Sequence, residues 1–177
     1  MVVVHRVTVI GVGNEFRRDD GAGPAVVARL RKRARRGGLP AGIRLVSCDG
    51  EPGRLIGLWE GAELAVVVDA ARARPSRPGR VHRLEPATCP GGPAGATSGH
   101  GLGPADAVAL ARALDRMPER LVVYAVEGAD SSLGPGLTPA VAAAVGSVAE
   151  RVVKEAVRHL CHTGPRVPLE GEEASVP

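Results

Sequence analysis

The chain of 177 residues has a formal net charge of +4 and only three aromatic residues, Phe16, Trp59 and Tyr124. This length predicts a single domain, and its core has to be built from Val, Leu and Ala, which suits a parallel sheet covered by helices. The three cysteines are widely spaced and form no C-x-x-C pair, which excludes a disulfide framework and a zinc knuckle.

The first predicted elements are a strand, an acidic glycine-rich turn and a helix. Val7 to Ile10 form an apolar run typical of a buried strand, and Pro24 opens an apolar helix. Between them, the turn carries the adjacent carboxylates Asp19 and Asp20. Such a turn lies at the carboxyl end of a strand, where open α/β sheets bind ligands. Because the turn is acidic, we expect a cationic ligand there, with a metal ion as the first candidate.

A basic run at residues 31–36 follows in this helix. Clustered arginines are one sign of a nucleic-acid interface, but no aromatic residue is interleaved for base stacking and no binding motif accompanies them. Cations at the end of a helix face the carbonyl end of the helix dipole, and Gly37 and Gly38 follow as a stop signal. We therefore predict a solvated helix end and no nucleic-acid partner.

The rest of the chain alternates between strands and helices. Strands are predicted at residues 43–48, 63–69, 80–84 and 121–126, and helices at 53–58, at 103–114 and from Thr138-Pro139 onward. The segment 80–84 alternates apolar and polar residues, as expected of a strand at a sheet edge. Together these elements predict a three-layer α/β/α sandwich with a mostly parallel central sheet of about five strands. We expect one domain over residues 1–162 and a disordered tail over 163–177.

Three side chains able to bind a metal follow predicted strands. Asp20 follows the first strand, Asp69 ends the apolar run of the third, and His100 lies in a Gly- and Pro-rich loop at residues 86–103. If the sheet is parallel, these side chains converge at its carboxyl edge. Two carboxylates and one imidazole suit a divalent transition metal that keeps open positions for water or substrate. For Asp19 we instead expect a structural role near a helix N-terminus.

Other chemistries fit these motifs less well. A dinucleotide fingerprint requires glycine where Phe16 stands, no P-loop sequence is present, and Asp19 and Asp20 would repel a pyrophosphate. Ser98 has no nucleophile elbow around it, and nothing near Cys89 indicates an activated thiol. A non-catalytic α/β module that senses or holds a nucleotide or a metal stays open as the alternative to an enzyme.

Taken together, four segments resemble the signature of [NiFe]-hydrogenase maturation endopeptidases. They agree with that family in order and spacing, and the start of the last helix at Gly136-Leu-Thr-Pro139 also fits. The segments are Gly11-Val-Gly-Asn-x4-Asp19-Asp20-Gly-x-Gly23, Asp49-Gly50-x-x-Gly53, Val66-Val-Val-Asp69-Ala70 and Ser98-Gly-His100-Gly-Leu-Gly-Pro-Ala-Asp106. Each one alone is a weak signal, but the four together, from about Val7 to Cys161, are specific.

The resemblance implies a reaction and a partner. Members of this family remove a short C-terminal extension from the hydrogenase large-subunit precursor after nickel has been inserted into it. Carried over to this chain, the resemblance implies that Asp20, Asp69 and His100 are metal ligands and catalytic residues, with the nickel supplied by the precursor. It also implies that Asp49 and Gly50 contact the substrate. We expect a monomeric, cytoplasmic enzyme without membrane contact, because no segment has the apolar length of a membrane span and no signal peptide is evident.

Two departures from the family pattern and one question of mechanism stay open. The first ligand position, which can be Glu in the family, is Asp20 here and one methylene shorter. The second segment contains Glu51 and Pro52 where relatives often have Gly and Thr. Nickel acting as a Lewis acid, nickel acting as a recognition element, and His100 acting as a general base without metal contact all fit the sequence. A protein that holds the nickel site without cutting would share the same ligands.

Overall fold

The computed structural model describes residues 6–86, the backbone of 97–98, and residues 104–163. Its strands are β1 (Val7–Val12), β2 (Ile43–Cys48), β3 (Leu64–Arg72), β4 (Val81–Leu84), β5 (Thr97–Ser98) and β6 (Arg120–Glu127). The main sheet has the order β2-β1-β3-β6-β4, and the two-residue strand β5 pairs with the end of β3. β1, β2, β3 and β6 run parallel, whereas β4 is antiparallel to β6 and β5 to β3. The predicted mostly parallel sheet of about five strands is confirmed, with β4 at its edge.

Helices cover both faces of this sheet. They are α1 (Ala22–Ala34), α2 (Pro52–Trp59), α3 (Pro104–Ala113) and α4 (Pro139–Thr163). Alternating residues of β3 show the division: Leu64, Val66 and Val68 pack with α1 and α4, whereas Ala65 and Val67 pack with α2 and α3. Because successive side chains of a strand point to opposite faces, one apolar strand supplies both halves of the core. The predicted three-layer α/β/α sandwich is therefore confirmed.

Strand β3 is longer than the sequence predicts. Residues 70–71 continue the parallel pairing with residues 126–127 of β6, so the strand ends at Arg72 and not at Asp69. The apolar run stops at Asp69, but backbone hydrogen bonding between neighbouring strands does not depend on side-chain polarity. Asp69 consequently lies within the sheet rather than at a free strand end.

Helix α1 begins at Ala22, two residues before the predicted Pro24, and it approaches the sheet very closely. A Cβ built on Gly23 would lie 2.6 Å from the backbone nitrogen of Val12 and would also overlap the backbone oxygen of Val68. Only glycine permits two backbones to come this near to each other. The close approach brings the turn before α1 over the carboxyl ends of β1 and β3, where the predicted site lies.

Helix α4 ends at Thr163, the first residue of the predicted tail, and residues 164–177 lie outside the described part of the chain. The domain boundaries, the disordered tail, the monomeric state and the cytoplasmic location therefore stay predictions. Across the ranges that the structure describes, no helix combines the length and the apolar character of a membrane span.

Candidate active site

Asp20 is held at the carboxyl edge of the sheet by the turn that follows β1. A short 3-10 turn, Arg18–Gly21, carries it, and the residue is only 6% exposed. The backbone N–H of Asn14 donates to Asp20 Oδ2 at 2.8 Å. Gly13 has a φ of +130°, and a Cβ there would overlap the backbone oxygen of Asp20. Any other residue at position 13 would strain the backbone and push this turn, with its carboxylate, out of place.

Asp69 lies in the strand next to β1, and its carboxylate is close enough to that of Asp20 to repel it. β3 pairs with β1, and Asp69 is 7% exposed. Burial and, next, the negative charge of Asp20 raise the pKa of Asp69 to about 7, although the backbone N–H of Ala70 acts in the opposite direction. Either a proton or a divalent cation between the two carboxylates relieves this repulsion. The structure thus brings together Asp20 and Asp69, and their oxygen donors fit a divalent metal.

Asp19, the neighbour of Asp20 in sequence, has a different environment. Its buried carboxylate accepts hydrogen bonds from the backbone N–H groups of Ala129, Asp130 and Thr138 at 2.8, 3.0 and 2.7 Å, and from the Thr138 hydroxyl at 2.9 Å. Burial alone would raise the pKa of Asp19, but these bonds outweigh it and hold the pKa below its ordinary value. Asp19 therefore has a structural role, as expected, although it binds the loop after β6 and the start of α4 rather than the N-terminus of α1.

His100, the third predicted ligand, lies outside the described residues. Two residues before it, Ser98 pairs with Ala71 at the end of β3. Within residues 6–86 and 104–163, no group of three or more His, Cys, Asp or Glu side chains is arranged to hold a metal ion. The complete ligand set, which includes His100, stays a prediction.

Asp49 and Gly50 follow β2, beside the turn that carries Asp20. The backbone N–H of Gly13 donates to the carbonyl of Cys48 at 3.0 Å, which ties the two strand ends together. Asp49 is exposed and forms an ion pair with Arg54 at 3.7 Å. Their predicted contact with the substrate is untested and stays a prediction.

The departure from the family pattern at Glu51 and Pro52 has a local structural explanation. The Glu51 carboxylate accepts hydrogen bonds from the backbone N–H groups of Gly53 and Arg54 at 2.8 and 2.7 Å. Glu51 is thus the N-cap of α2, and Pro52 occupies the first helical position, where its missing N–H costs no hydrogen bond. These two residues therefore begin helix α2.

A cavity of about 190 Å³ opens beside Asp20. Asp20 lines it together with the loop after β6, and the residues that follow Asp69 line it from β3 and the β3–β4 loop. The side chains around it include those of Asp20, Arg72, Arg74, Ser76, Asp130 and Ser131. The positions of Arg72 and Arg74 beside Asp20 are not predicted from the sequence. The one signal there is a stretch of four arginines without an acidic residue at positions 72–80.

Solved structures of known proteins share this architecture. The [NiFe] hydrogenase maturation protease HybD from Thermococcus kodakarensis is 26% identical, with a TM-score of 0.66, over 85% of this chain and 99% of that one. The hydrogenase maturating endopeptidase HybD from E. coli is also 26% identical, with a TM-score of 0.66, over 87% of this chain and 93% of that one. An endopeptidase from Escherichia coli, 24% identical over 87% of this chain and 93% of that one, has the same fold with a TM-score of 0.71.

The sequence comparison gives the family directly. No curated protein matches the chain. Residues 25–155 match the family model HycI, hydrogenase maturation protease, which covers well over half of the sequence. The chain belongs to the hydrogenase maturation protease family.

Proposed function

We propose that this protein is an endopeptidase that removes the C-terminal extension of a [NiFe]-hydrogenase large-subunit precursor after nickel insertion. Membership of the family supports a protease role in hydrogenase maturation. The observation that carries the finer proposal is the pair of buried carboxylates, Asp20 and Asp69, beside a cavity at the carboxyl edge of the sheet. Such a pair favours a cation, and the nickel of the precursor is the cation that we propose it binds.

The proposed roles of Asp20 and Asp69 follow from these positions, and that of His100 follows from the resemblance of its sequence segment to the family. Asp20 and Asp69 contribute carboxylate oxygens to the nickel of the substrate, and His100 contributes its imidazole. Nickel in this place supplies positive charge that fixes the precursor and polarises the carbonyl next to it. Before the precursor binds, a pKa of about 7 lets Asp69 hold a proton near neutral pH, which reduces its repulsion with Asp20. Asp49 and Gly50, at the neighbouring strand end, are proposed to contact the substrate chain.

Carboxylate-to-amide variants test this proposal. We expect Asp20→Asn and Asp69→Asn to lower the rate of precursor processing by at least about 100-fold, since an amide cannot supply the ionic oxygen that a metal requires. His100→Ala is expected to have an effect of the same size. Asp115→Asn is the matched control, because Asp115 is exposed after α3 and its φ of +53° suits asparagine equally well.

Processing is measured by the mass of the product, with thermal unfolding of each variant recorded alongside. Near wild-type rates in folded Asp20→Asn and Asp69→Asn would contradict the proposed roles. A precursor that binds the wild-type protein through its nickel but is never shortened would instead indicate a protein that holds the site without cutting.

A further inference from the structure

The loop between β3 and β4 is strongly basic, and it lies beside the cavity that Asp20 also lines. Four arginines, Arg72, Arg74, Arg77 and Arg80, occur within nine residues that contain no acidic residue. All four are exposed. A concentration of cationic side chains of this kind attracts carboxylates, and it raises the rate at which acidic partners associate.

Two of these arginines face the same cavity as Asp20. Arg72 and Arg74 line it, and the guanidinium of Arg72 donates a hydrogen bond to the hydroxyl of Ser131 on the opposite loop. In the described residues, neither arginine forms a salt bridge. The side chain of Arg74 is exposed, and no ion pair joins it to another residue of the described ranges.

Of the three acidic residues that line the cavity, Asp20 is the proposed nickel ligand, and the other two are engaged with protein groups. Asp19 accepts four hydrogen bonds, as described above, and Asp130, which also lines the cavity, accepts one from the backbone N–H of Ser132 at 2.8 Å. The pKa of Asp130 lies below its ordinary value because of its hydrogen bonds with Ser132. Both carboxylates therefore belong to the structure of the cavity wall.

The basic loop is held in a fixed position by the end of β6. The backbone N–H of Arg77 donates to Glu127 Oε2 at 2.6 Å, and that of Gly79 donates to the Glu127 carbonyl at 2.8 Å. The Ser76 hydroxyl donates to the carbonyl of Gly128 at 3.1 Å. His82 Nε2 contacts the second carboxylate oxygen of Glu127 at 2.6 Å. A loop anchored in this way presents its arginines with little ordering cost when a ligand binds.

We propose that Arg72 and Arg74 form a subsite for an acidic side chain of the precursor's C-terminal extension. This inference rests on the proposed function, in which the nickel end of the substrate lies at Asp20 and Asp69. Asp20, Arg72 and Arg74 line one cavity, so a substrate chain that enters it from the nickel end at Asp20 reaches the two arginines. Because both arginines share this cavity with Asp20, we assign the carboxylate to a residue close behind the scissile bond.

The first test varies the substrate. Nickel-loaded precursors carrying Glu, Gln or Lys at the second residue after the cut are processed by the wild-type protein, and KM and kcat are determined for each. We expect KM to be about tenfold lower for Glu than for Lys, with Gln between them and kcat nearly constant, as for one charge-assisted hydrogen bond made in binding. Equal KM values for the three substrates would overturn the subsite.

The second test varies the enzyme. In Arg74→Glu the preference is expected to reverse, so that the Lys substrate has the lower KM, whereas Arg74→Lys retains the preference for Glu. Arg44→Glu is the matched control, because Arg44 is exposed on β2 and the substitution changes the net charge equally. Should Arg44→Glu shift KM as much as Arg74→Glu, the effect would be overall charge and the subsite would be refuted.

Failure of the subsite and failure of the proposed function give different results. If the function is wrong, the wild-type protein cuts none of the three precursors. If only the subsite is wrong, all three are cut with the same KM. The C-terminal carboxylate of the extension is another group that the arginines could bind. A fourth precursor, with Gln at the second residue after the cut and an amidated C-terminus, tests this alternative. A rise in KM on amidation, without any Glu preference, would assign the arginines to the chain terminus and overturn the proposal.

Discussion

Asp19 and Asp20 are adjacent in sequence and both buried, yet their surroundings give them opposite tasks. The carboxylate of Asp19 is surrounded by hydrogen-bond donors from the loop after β6 and from the start of α4. The carboxylate of Asp20 accepts a hydrogen bond from the backbone N–H of Asn14, and its negative charge contributes to the raised pKa of Asp69. Hydrogen-bond donors stabilise the ionised form of a carboxylate, whereas a neighbouring negative charge favours the binding of a proton or a cation. Asp19 stabilises the fold, whereas Asp20 has the role that we propose for it, binding the nickel of the precursor.

Replacing Asp19 should therefore destabilise the protein. Asp19→Asn loses charge-assisted hydrogen bonds from partly buried backbone N–H groups, and we expect the free energy of unfolding to fall by about 1–3 kcal/mol at neutral pH. Since the pKa of Asp19 is lowered by folding, its contribution is present above its ordinary pKa and disappears as the pH falls through the lower folded value. Urea denaturation of wild type and variant at pH 7 and at lower pH measures the difference. An unchanged midpoint at pH 7 would show that these bonds contribute nothing.

Asp69 should have the opposite pH dependence. Its pKa is raised from 3.8 to about 7, so the folded state binds more protons than the unfolded state between these values, and stability decreases as the pH rises through this window. Asp69→Asn removes the titration. As the pH rises from 4 to 8, wild type loses stability that the variant keeps. We expect the difference between their free energies of unfolding to change in favour of the variant by on the order of 2–4 kcal/mol. Denaturation in the presence of a chelator measures the difference, and parallel stability curves would contradict the raised pKa of Asp69.

At the scale of elements, the contact between α1 and the sheet positions the turn that carries Asp20. It depends on Gly23, where a Cβ would overlap backbone atoms of both β1 and β3. Gly57, in α2, offers a matched comparison, because it is also helical but exposed, with no atom within 4 Å of an added Cβ.

The same substitution should have opposite effects at these two glycines. We expect Gly23→Ala to lower the free energy of unfolding by at least about 2 kcal/mol through overpacking. Gly57→Ala is expected to raise it by about 0.5–1 kcal/mol, because alanine favours helix. Chemical denaturation of both variants gives the two signs. A neutral or stabilising Gly23→Ala would mean that α1 can move away from the sheet at no cost.

Most elements were predictable because their signals are local. The apolar runs of β1, β3 and β6 and the spaced valines of α4 follow from the periodicity of side chains. The extension of β3 past Asp69 was not predictable, because it depends on backbone pairing with β6, a partner far away in sequence. The Thr138 hydroxyl likewise bonds to Asp19, and no local pattern indicates such a distant partner.

At the scale of the molecule, parallel topology explains why a site could be predicted at all. Strands β1 and β3 are neighbours that run in the same direction, so their carboxyl ends place Asp20 and Asp69 at one edge of the sheet. The positions of Arg72 and Arg74 could not be predicted, because the local sequence does not indicate that the β3–β4 loop lies beside Asp20. Their position depends on the anchoring of that loop to Glu127 and Gly128.

We claim that the protein cuts a hydrogenase large-subunit precursor only after nickel has been inserted into it. The intact mass of such a precursor from the same genome, measured after incubation with the protein, tests this claim. Nickel-loaded and nickel-free precursors are compared under the same conditions. We predict a single loss of mass, equal to one C-terminal peptide, in the nickel-loaded sample alone. An unchanged mass in both samples, with the nickel content of the precursor verified, would contradict the claim.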